Sequence, residues 1–136
     1  MFRLSSKVEY GIRSLIRLYL NGPLTTKELS RIELIPEAFL ERIMSELKYA
    51  GIIEGKRGPQ GGYELVKDIE EIRIIEIIQA LEGKPSIVKC VENENSCSFV
   101  SLCLMKAFWK KANLEFQEFL SRISLKDIID ELERSS

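Results

Sequence analysis

The sequence contains no histidine and no Cys-x-x-Cys pair among its 136 residues. Structural zinc sites are built mainly from those two elements, so the sequence does not predict one. No apolar run approaches the roughly 20 residues that cross a bilayer. The N-terminus is charged throughout and lacks the apolar stretch and cleavage site of a signal peptide. These absences, together with the odd number of cysteines, predict a protein of the reducing cytoplasm that does not enter a membrane.

The signatures of an enzyme are also missing. There is no phosphate-binding glycine loop, no nucleophile–base pair and no evident catalytic base, so we do not expect catalysis. The length suits one compact domain, or a domain with an appendage. The net charge of −1 conceals an asymmetry, because residues 1–67 carry 11 Lys/Arg against 8 Asp/Glu while residues 68–136 carry 9 against 13. A mildly basic N-terminal half can face an anion.

Cysteine is present in an unusual arrangement. All three cysteines lie in one polar stretch, as Cys90, Cys97 and Cys103. Thiols that serve packing would be scattered among apolar residues, whereas three thiols on one loop are typical of soft-metal ligands or of a redox site. Three thiolates from one loop suit an iron–sulphur cluster whose fourth ligand lies elsewhere. A metal-free thiol switch, in which two of the cysteines form a disulfide, is the alternative.

Hydrophobic periodicity predicts a mainly α fold with one small β-hairpin. Helices are expected at residues 6–20, 25–32, 36–50, 72–81, 103–123 and 125–134, and strands at 52–54 and 63–66. Three helices followed by a hairpin with a basic, glycine-rich tip make a winged helix-turn-helix. We therefore divide the chain into a DNA-binding domain at 1–82, a cysteine-bearing loop at 83–102, and a dimerisation helix with a C-terminal helix at 103–136.

The third helix and the wing carry the expected DNA contacts. The N-terminal part of such a helix enters the major groove, where Arg42 can donate to guanine and Glu41 can accept from cytosine. The wing glycines would let the backbone approach phosphates or the minor groove. The alternatives are a solvated helix face and an ordinary hairpin. The predicted contact residues are Arg3, Ala38, Glu41, Arg42, Ser45, Lys56, Arg57, Gly58, Pro59, Gln60, Gly61 and Gly62.

The long C-terminal helix carries an apolar seam in steps of four and three residues, which is typical of a coiled-coil-like pair. DNA-binding winged helices usually contact two half-sites. We therefore expect a homodimer, with packing of the helix on its own domain as the alternative. The predicted interface residues are Met105, Trp109, Ala112, Phe116, Phe119 and Ile123.

Three stretches of the chain resemble one known family. Arg3–Lys7 (RLSSK), Arg57–Tyr63 (RGPQGGY) and the cysteine trio are similar to the bacterial iron–sulphur and nitric-oxide-responsive repressors of the IscR, NsrR and RirA type. The resemblance covers essentially the whole chain. It implies a dimeric winged-helix transcriptional regulator whose operator binding responds to a [2Fe–2S] or [4Fe–4S] cluster ligated by the three cysteines. A cluster-carrying assembly protein is a less favoured alternative.

The fourth ligand departs from one branch of that family. IscR-type members use a histidine three residues after the last cysteine, where this chain has Lys106. NsrR-type members use a carboxylate near the start of the first helix, donated by the other subunit, and Glu9 occupies the matching place. The resemblance thus implies Glu9 as a ligand, although that branch carries Asp. Glu92, Glu94 and an external thiol are alternatives, and Glu9 can also be a solvated acid that favours the helix dipole.

Overall fold

The computed structural model describes residues 4–58, 61–86 and 105–135. Over these residues the chain forms six helices and one antiparallel hairpin, so the expected fold class is confirmed. The elements in chain order are α1 (Ser6–Asn21), α2 (Thr26–Glu33), α3 (Glu37–Tyr49), β1 (Ile53–Gly55), β2 (Tyr63–Leu65), α4 (Ile74–Glu82), α5 (Lys106–Arg122) and α6 (Leu125–Ser135). None of the described helices is long and apolar enough to cross a membrane.

Side-chain caps begin three of the helices. The Ser5 hydroxyl accepts a hydrogen bond from the Val8 amide at 3.2 Å at the start of α1. Thr25 does the same for the Glu28 amide at 3.1 Å at the start of α2. Ser124 and Asp127 exchange two bonds at the start of α6: the Ser124 amide donates to the carboxylate at 2.9 Å and the Asp127 amide donates to the hydroxyl at 3.2 Å. Such reciprocal pairs satisfy amides that a helix start leaves free.

The fourth helix begins at Ile74 rather than at the predicted Ile72. Arg73 is extended and pairs with Ser124 in the segment between α5 and α6. The Leu125 amide donates to the Ile72 carbonyl at 2.8 Å, and the Ile74 amide donates to the Ile123 carbonyl at 2.9 Å. Hydrophobic periodicity does not reveal this pairing because the two segments are far apart in sequence.

The turn between α2 and α3 has an unusual backbone. Leu34 has a φ of 56°, in the left-handed region, and its side chain is 86 % exposed. Bulky residues rarely adopt this conformation. The Ser30 hydroxyl donates to the Ile35 carbonyl and so supports the turn. Pro36 then takes the N-cap position in an extended conformation, so the third helix starts one residue later than predicted.

The wing is attached to the connection between α1 and α2. Ile53 pairs with Leu65 and Gly55 pairs with Tyr63 across the hairpin, and β1 begins one residue later than the first predicted strand. Leu24 adds a further pairing: the Tyr63 amide donates to the Leu24 carbonyl at 2.8 Å, and the Leu24 amide donates back at 3.3 Å. These bonds fix the base of the wing relative to α2.

One hydrophobic core joins the N-terminal domain to the C-terminal helices. Leu120, Leu125 and Ile129 from α5 and α6 belong to the same buried cluster as residues of α1, α3 and α4. Helices α1 and α4 approach each other closely in this core: a Cβ on Gly11 of α1 would lie 2.6 Å from Cδ1 of Leu81 in α4. The residues of 1–82 and 105–135 that the structure describes are therefore packed together.

Candidate nucleic-acid interface

The predicted outward face of α3 is on the surface. Each of its polar positions is exposed, and Arg42 is the most informative because its side chain is 74 % exposed and lies one turn into the helix. Such a side chain can enter a major groove without rearrangement of the fold. The exposed residues of this face are Glu37, Ala38, Glu41, Arg42, Ser45 and Lys48.

The carboxylate of Glu46 contacts both Arg42 and Lys7, which lies in the first turn of α1. Its Nε lies 3.6 Å from Oε1 of Glu46, one helical turn further along α3. The other oxygen of Glu46, Oε2, lies 2.7 Å from Nζ of Lys7. That oxygen is buried, and among the described residues no donor is aligned on it for a hydrogen bond. The Lys7 ammonium therefore balances its charge electrostatically. Sequence reasoning missed Glu46, although the i, i+4 spacing from Arg42 is a recognisable signal.

A second carboxylate holds the end of α2. Arg13 Nε donates to Oε1 of Glu33 at 3.0 Å, and Arg17 donates to Oε2 at 2.8 and 3.0 Å. Arg13 also donates to the Glu33 carbonyl at 2.7 Å, which satisfies a free acceptor at the helix end. Burial acts to raise the pKa of Glu33, but the hydrogen bonds from Arg17 and Arg13 outweigh it and lower the pKa below 4.5. This clamp fixes the helix-turn-helix on α1.

The wing and the start of α2 border an open groove. Its volume is about 1060 Å³, with Lys56 and Arg57 on one side and Thr25 and Glu28 on the other. Both cations are exposed, as predicted. The groove lies between the wing and the helix-turn-helix, and its two cations give that side of it a positive charge. Arg3, Pro59 and Gln60, also predicted to contact DNA, lie outside the described residues.

Gly62 has an unusual backbone conformation and a close backbone neighbour. Gly62 has a φ of 106°, and a Cβ built on it would lie 2.6 Å from the carbonyl carbon and oxygen of Leu24. The close neighbour of Gly62 is therefore the connection between α1 and α2. Gly58 has a φ of 128°, but none of the described residues lies within 4 Å of the position that a Cβ would take there. Gly62 thus serves the attachment of the wing, and the approach of the wing glycines to DNA stays a prediction.

The apolar seam of α5 has two surroundings. Phe116 and Ile123 pack against the core of their own chain, and Trp109 and Ala112 are half-buried. Met105 and Phe119 are exposed, Phe119 by 52 %. Among the described residues, intramolecular packing thus occupies part of the seam and leaves an apolar edge exposed, to which Phe108 also belongs.

The three cysteines, with Glu92 and Glu94, lie outside the described residues. Within the described ranges, no three metal-ligating side chains converge. Glu9 is exposed in the first turn of α1. Residues two apart in a helix are turned by roughly 200°, so Glu9 points away from the side of α1 where Gly11 meets α4. Thiolates are the donors that iron–sulphur clusters take, so the chemistry of the three cysteines fits such a cluster.

Comparisons with known proteins agree with this architecture. Residues 4–131 match the family model described as Rrf2, iron-dependent transcriptional regulator. The chain is 31 % identical over 134 residues to the HTH-type transcriptional regulator IscR of Photorhabdus laumondii, covering 96 % of this chain and 81 % of that protein. It is similar to T. potens IscR with a TM-score of 0.77 and 28 % identity, covering 99 % and 91 % of the two chains. It is also similar to CymR, the global cysteine regulator of B. subtilis, with a TM-score of 0.71 and 27 % identity, covering 96 % and 98 %.

Proposed function

The chain belongs to the Rrf2 family of transcriptional regulators, and we propose that it is a dimeric repressor whose affinity for a double-stranded DNA operator is controlled by an iron–sulphur cluster. One observation carries the proposal. A segment with all three cysteines joins α4 to α5 in a chain whose other parts form a winged helix-turn-helix. The regulator part follows from the fold and the family, and the cluster part from the chemistry of the thiols.

DNA contacts divide into two kinds in this proposal. Arg42 and Glu41 on the exposed face of α3 contact base edges, because a guanidinium suits guanine and a carboxylate suits cytosine. Lys56 and Arg57 contact phosphates, with the wing held in place by its pairing with Leu24. Arg3, Ala38, Ser45 and residues 58–62 complete the proposed surface. Phosphate contacts supply affinity and base contacts supply specificity.

The ligands of the cluster are Cys90, Cys97 and Cys103 of one protomer and Glu9 of the other. The orientation of Glu9 supports donation across the dimer, because Glu9 faces away from α4, whose end leads into the cysteine segment of its own chain. When bound, a cluster held by these residues would supply a redox-active link between the two protomers. A carboxylate is a harder and more weakly held ligand for iron than a thiolate, which suits a position that must exchange.

Dimerisation through α5 is part of the proposal. The free apolar edge of α5, formed by Met105, Phe108 and Phe119, is available for a second copy. Two protomers present two α3 helices at a fixed separation, which is the geometry that two operator half-sites require. Because its partner is DNA and its thiols must stay reduced, we place the protein in the cytoplasm.

A metal-free thiol-based regulator of the same fold is the second candidate. Its support is the likeness to CymR, a cysteine regulator, together with the absence of the histidine of IscR-type members. In that case two of the three cysteines form a disulfide on oxidation, and Glu9 has no ligand role.

The test is a titration of one DNA duplex with two forms of the same protein. The duplex is selected by the wild-type chain from a random-sequence library. One form is prepared without oxygen and the other has had its iron removed by a chelator, with its thiols kept reduced. The proposal predicts that the two forms differ in affinity but have a similar salt dependence. The phosphate contacts are the same in both, and only the relative placement of the two α3 helices changes. Equal affinities of the two forms would exclude control by a cluster.

A further inference from the structure

We propose that the ion pair between Lys7 and Glu46 controls how freely Arg42 reaches DNA. In this view Glu46 is a positioning residue for Arg42. Lys7, in the first turn of α1, thereby influences the affinity of α3 for DNA. The inference rests on the proposed function because it requires sequence-specific DNA binding through Arg42. It adds an ion pair within the DNA-binding domain that changes the affinity for DNA.

Glu46 is shared unequally between two cations. The Lys7 ammonium is at 2.7 Å from Oε2, whereas the Arg42 guanidinium is at 3.6 Å from Oε1. The Lys7 contact is mostly shielded, since only 20 % of the Lys7 side chain is accessible, while Arg42 is largely in solvent. An ion pair in a shielded position is screened less than an exposed one. Lys7 therefore holds Glu46, and Arg42 is left extended and available.

Removal of Lys7 changes this balance. The buried Oε2 then loses the ammonium that neutralises it, and burying an unpaired carboxylate is unfavourable. Arg42 is the other cation that contacts Glu46 among the described residues. A rotamer change would let its planar guanidinium bind both oxygens of Glu46, the strongest arrangement for this pair. An Arg42 bound in this way has to be released before it can contact a base.

The first turn of α1 also connects this ion pair to the dimer. Lys7 and Gly11 lie on one face of α1, four residues apart, and that face rests on α3 and α4. Glu9 lies in the same turn and points outward. Because Lys7 and Glu9 share one helical turn, a shift or rotation of that turn that is driven from the Glu9 side changes the Lys7–Glu46 separation. The state of α1 is thereby transmitted to Arg42 by one ion pair.

The test is a double-mutant cycle on DNA affinity. Wild type, Lys7→Met, Arg42→Ala and the Lys7→Met/Arg42→Ala double variant are titrated with the duplex selected by the wild-type chain and with an unselected duplex. Lys7→Met is expected to weaken binding to the selected duplex about fivefold when Arg42 is present, and less than about twofold in the Arg42→Ala background, a coupling of ordinary size for neighbouring charges. The cycle cancels any effect of Lys7 that does not pass through Arg42.

A rescue and a matched control complete the design. Adding Glu46→Gln to Lys7→Met removes the charge that would retain Arg42, so the affinity of Lys7→Met/Glu46→Gln should return to within about twofold of wild type. Lys67→Met is the control, because Lys67 also forms an interelement pair, at 2.8 Å from Glu76, and lies outside the proposed DNA surface. It changes the net charge equally and should leave the affinity for both duplexes unchanged, beyond a small uniform effect.

The outcomes separate this inference from the proposed function. If wild type selects no duplex, the proposed function fails and the inference fails with it. If a duplex is selected but Lys7→Met weakens binding equally in both backgrounds, Lys7 contacts DNA or supports the fold directly, and the inference is wrong while the function stands. A Lys7→Met/Glu46→Gln variant that stays as weak as Lys7→Met would likewise overturn it, because Glu46 would then not be the restraint on Arg42.

Discussion

The backbone of Gly62 lies against Leu24 so closely that a Cβ on Gly62 would sit 2.6 Å from the Leu24 carbonyl oxygen. The same pair of segments is joined by two hydrogen bonds between Leu24 and Tyr63. The wing is therefore fixed to the helix-turn-helix at its base, and its exposed cations have a defined position relative to α3. This attachment allows the wing and the recognition helix to contact one DNA duplex as a unit.

Replacement of Gly62 tests this attachment. Gly62→Ala should destabilise the protein by about 2–4 kcal/mol, because it combines a strained φ with an overpacked contact. Gly58→Ala is the matched control: it has a similar positive φ but open space around it, so about 1–2 kcal/mol is expected. Urea unfolding measures both. Equal losses in the two variants would mean that the contact with Leu24 contributes nothing.

The clamp on Glu33 predicts a pH-dependent stability. The pKa of Glu33 is lowered in the folded state, so its charged form is stabilising above the ordinary value of 4.5, and this stabilisation is lost as the pH falls below it. Glu33→Gln should cost about 1–2 kcal/mol at neutral pH, a moderate figure because both arginines are about one-third exposed. The difference from wild type should shrink in acid. Glu82→Gln, on an exposed side chain, controls for the change in net charge, and a constant difference at every pH would argue against an electrostatic clamp.

The free edge of α5 predicts the oligomeric state. Phe119→Glu should give a folded monomer in analytical ultracentrifugation, because the side chain is half-exposed in the protomer and a charge there opposes burial between two copies. Leu114→Glu, at an exposed position of the same helix outside the seam, should remain dimeric. Phe116 is unsuitable for this test because it packs on its own core. A dimer that survives Phe119→Glu would place the interface elsewhere.

The two arginines of the DNA surface should behave differently. Arg42→Ala should lose about 1–3 kcal/mol on the selected duplex and little on random DNA, since it removes a base contact. Arg57→Ala should weaken binding to all sequences and reduce the salt slope by about one, because it removes a phosphate contact. Fluorescence anisotropy at several salt concentrations measures both effects. If Arg42→Ala lowers the affinity for both kinds of DNA equally, Arg42 does not contact a base edge.

Local features of this protein could be predicted from sequence. The caps at Thr25 and Ser124 and the helical periods depend on residues three or four positions apart, so their signals are contained in the sequence. The exposed face of α3 followed from the same periodicity. The wing motif and the cysteine spacing pointed to the family that the comparisons identify.

Other features depend on contacts between distant segments and could not be predicted. Leu34 adopts a left-handed turn without the glycine that usually signals one. Gly62 contacts Leu24, and Lys7 contacts Glu46, only after the chain has folded. The apolar period of α5 is equally compatible with packing on its own core and with a partner. Periodicity identifies which side chains share a face, but it does not identify what that face contacts.

The iron content of protein purified without oxygen tests the central claim most directly. Wild type should contain iron and absorb visible light, and Cys90→Ala, Cys97→Ala and Cys103→Ala should each lose the iron, because three thiolates are needed to hold a cluster. Each variant should stay a folded dimer by circular dichroism and ultracentrifugation. Iron-free wild type that binds the selected duplex only with reduced thiols would favour the thiol-based regulator. Full iron content in any one of the three variants would contradict the cluster assignment.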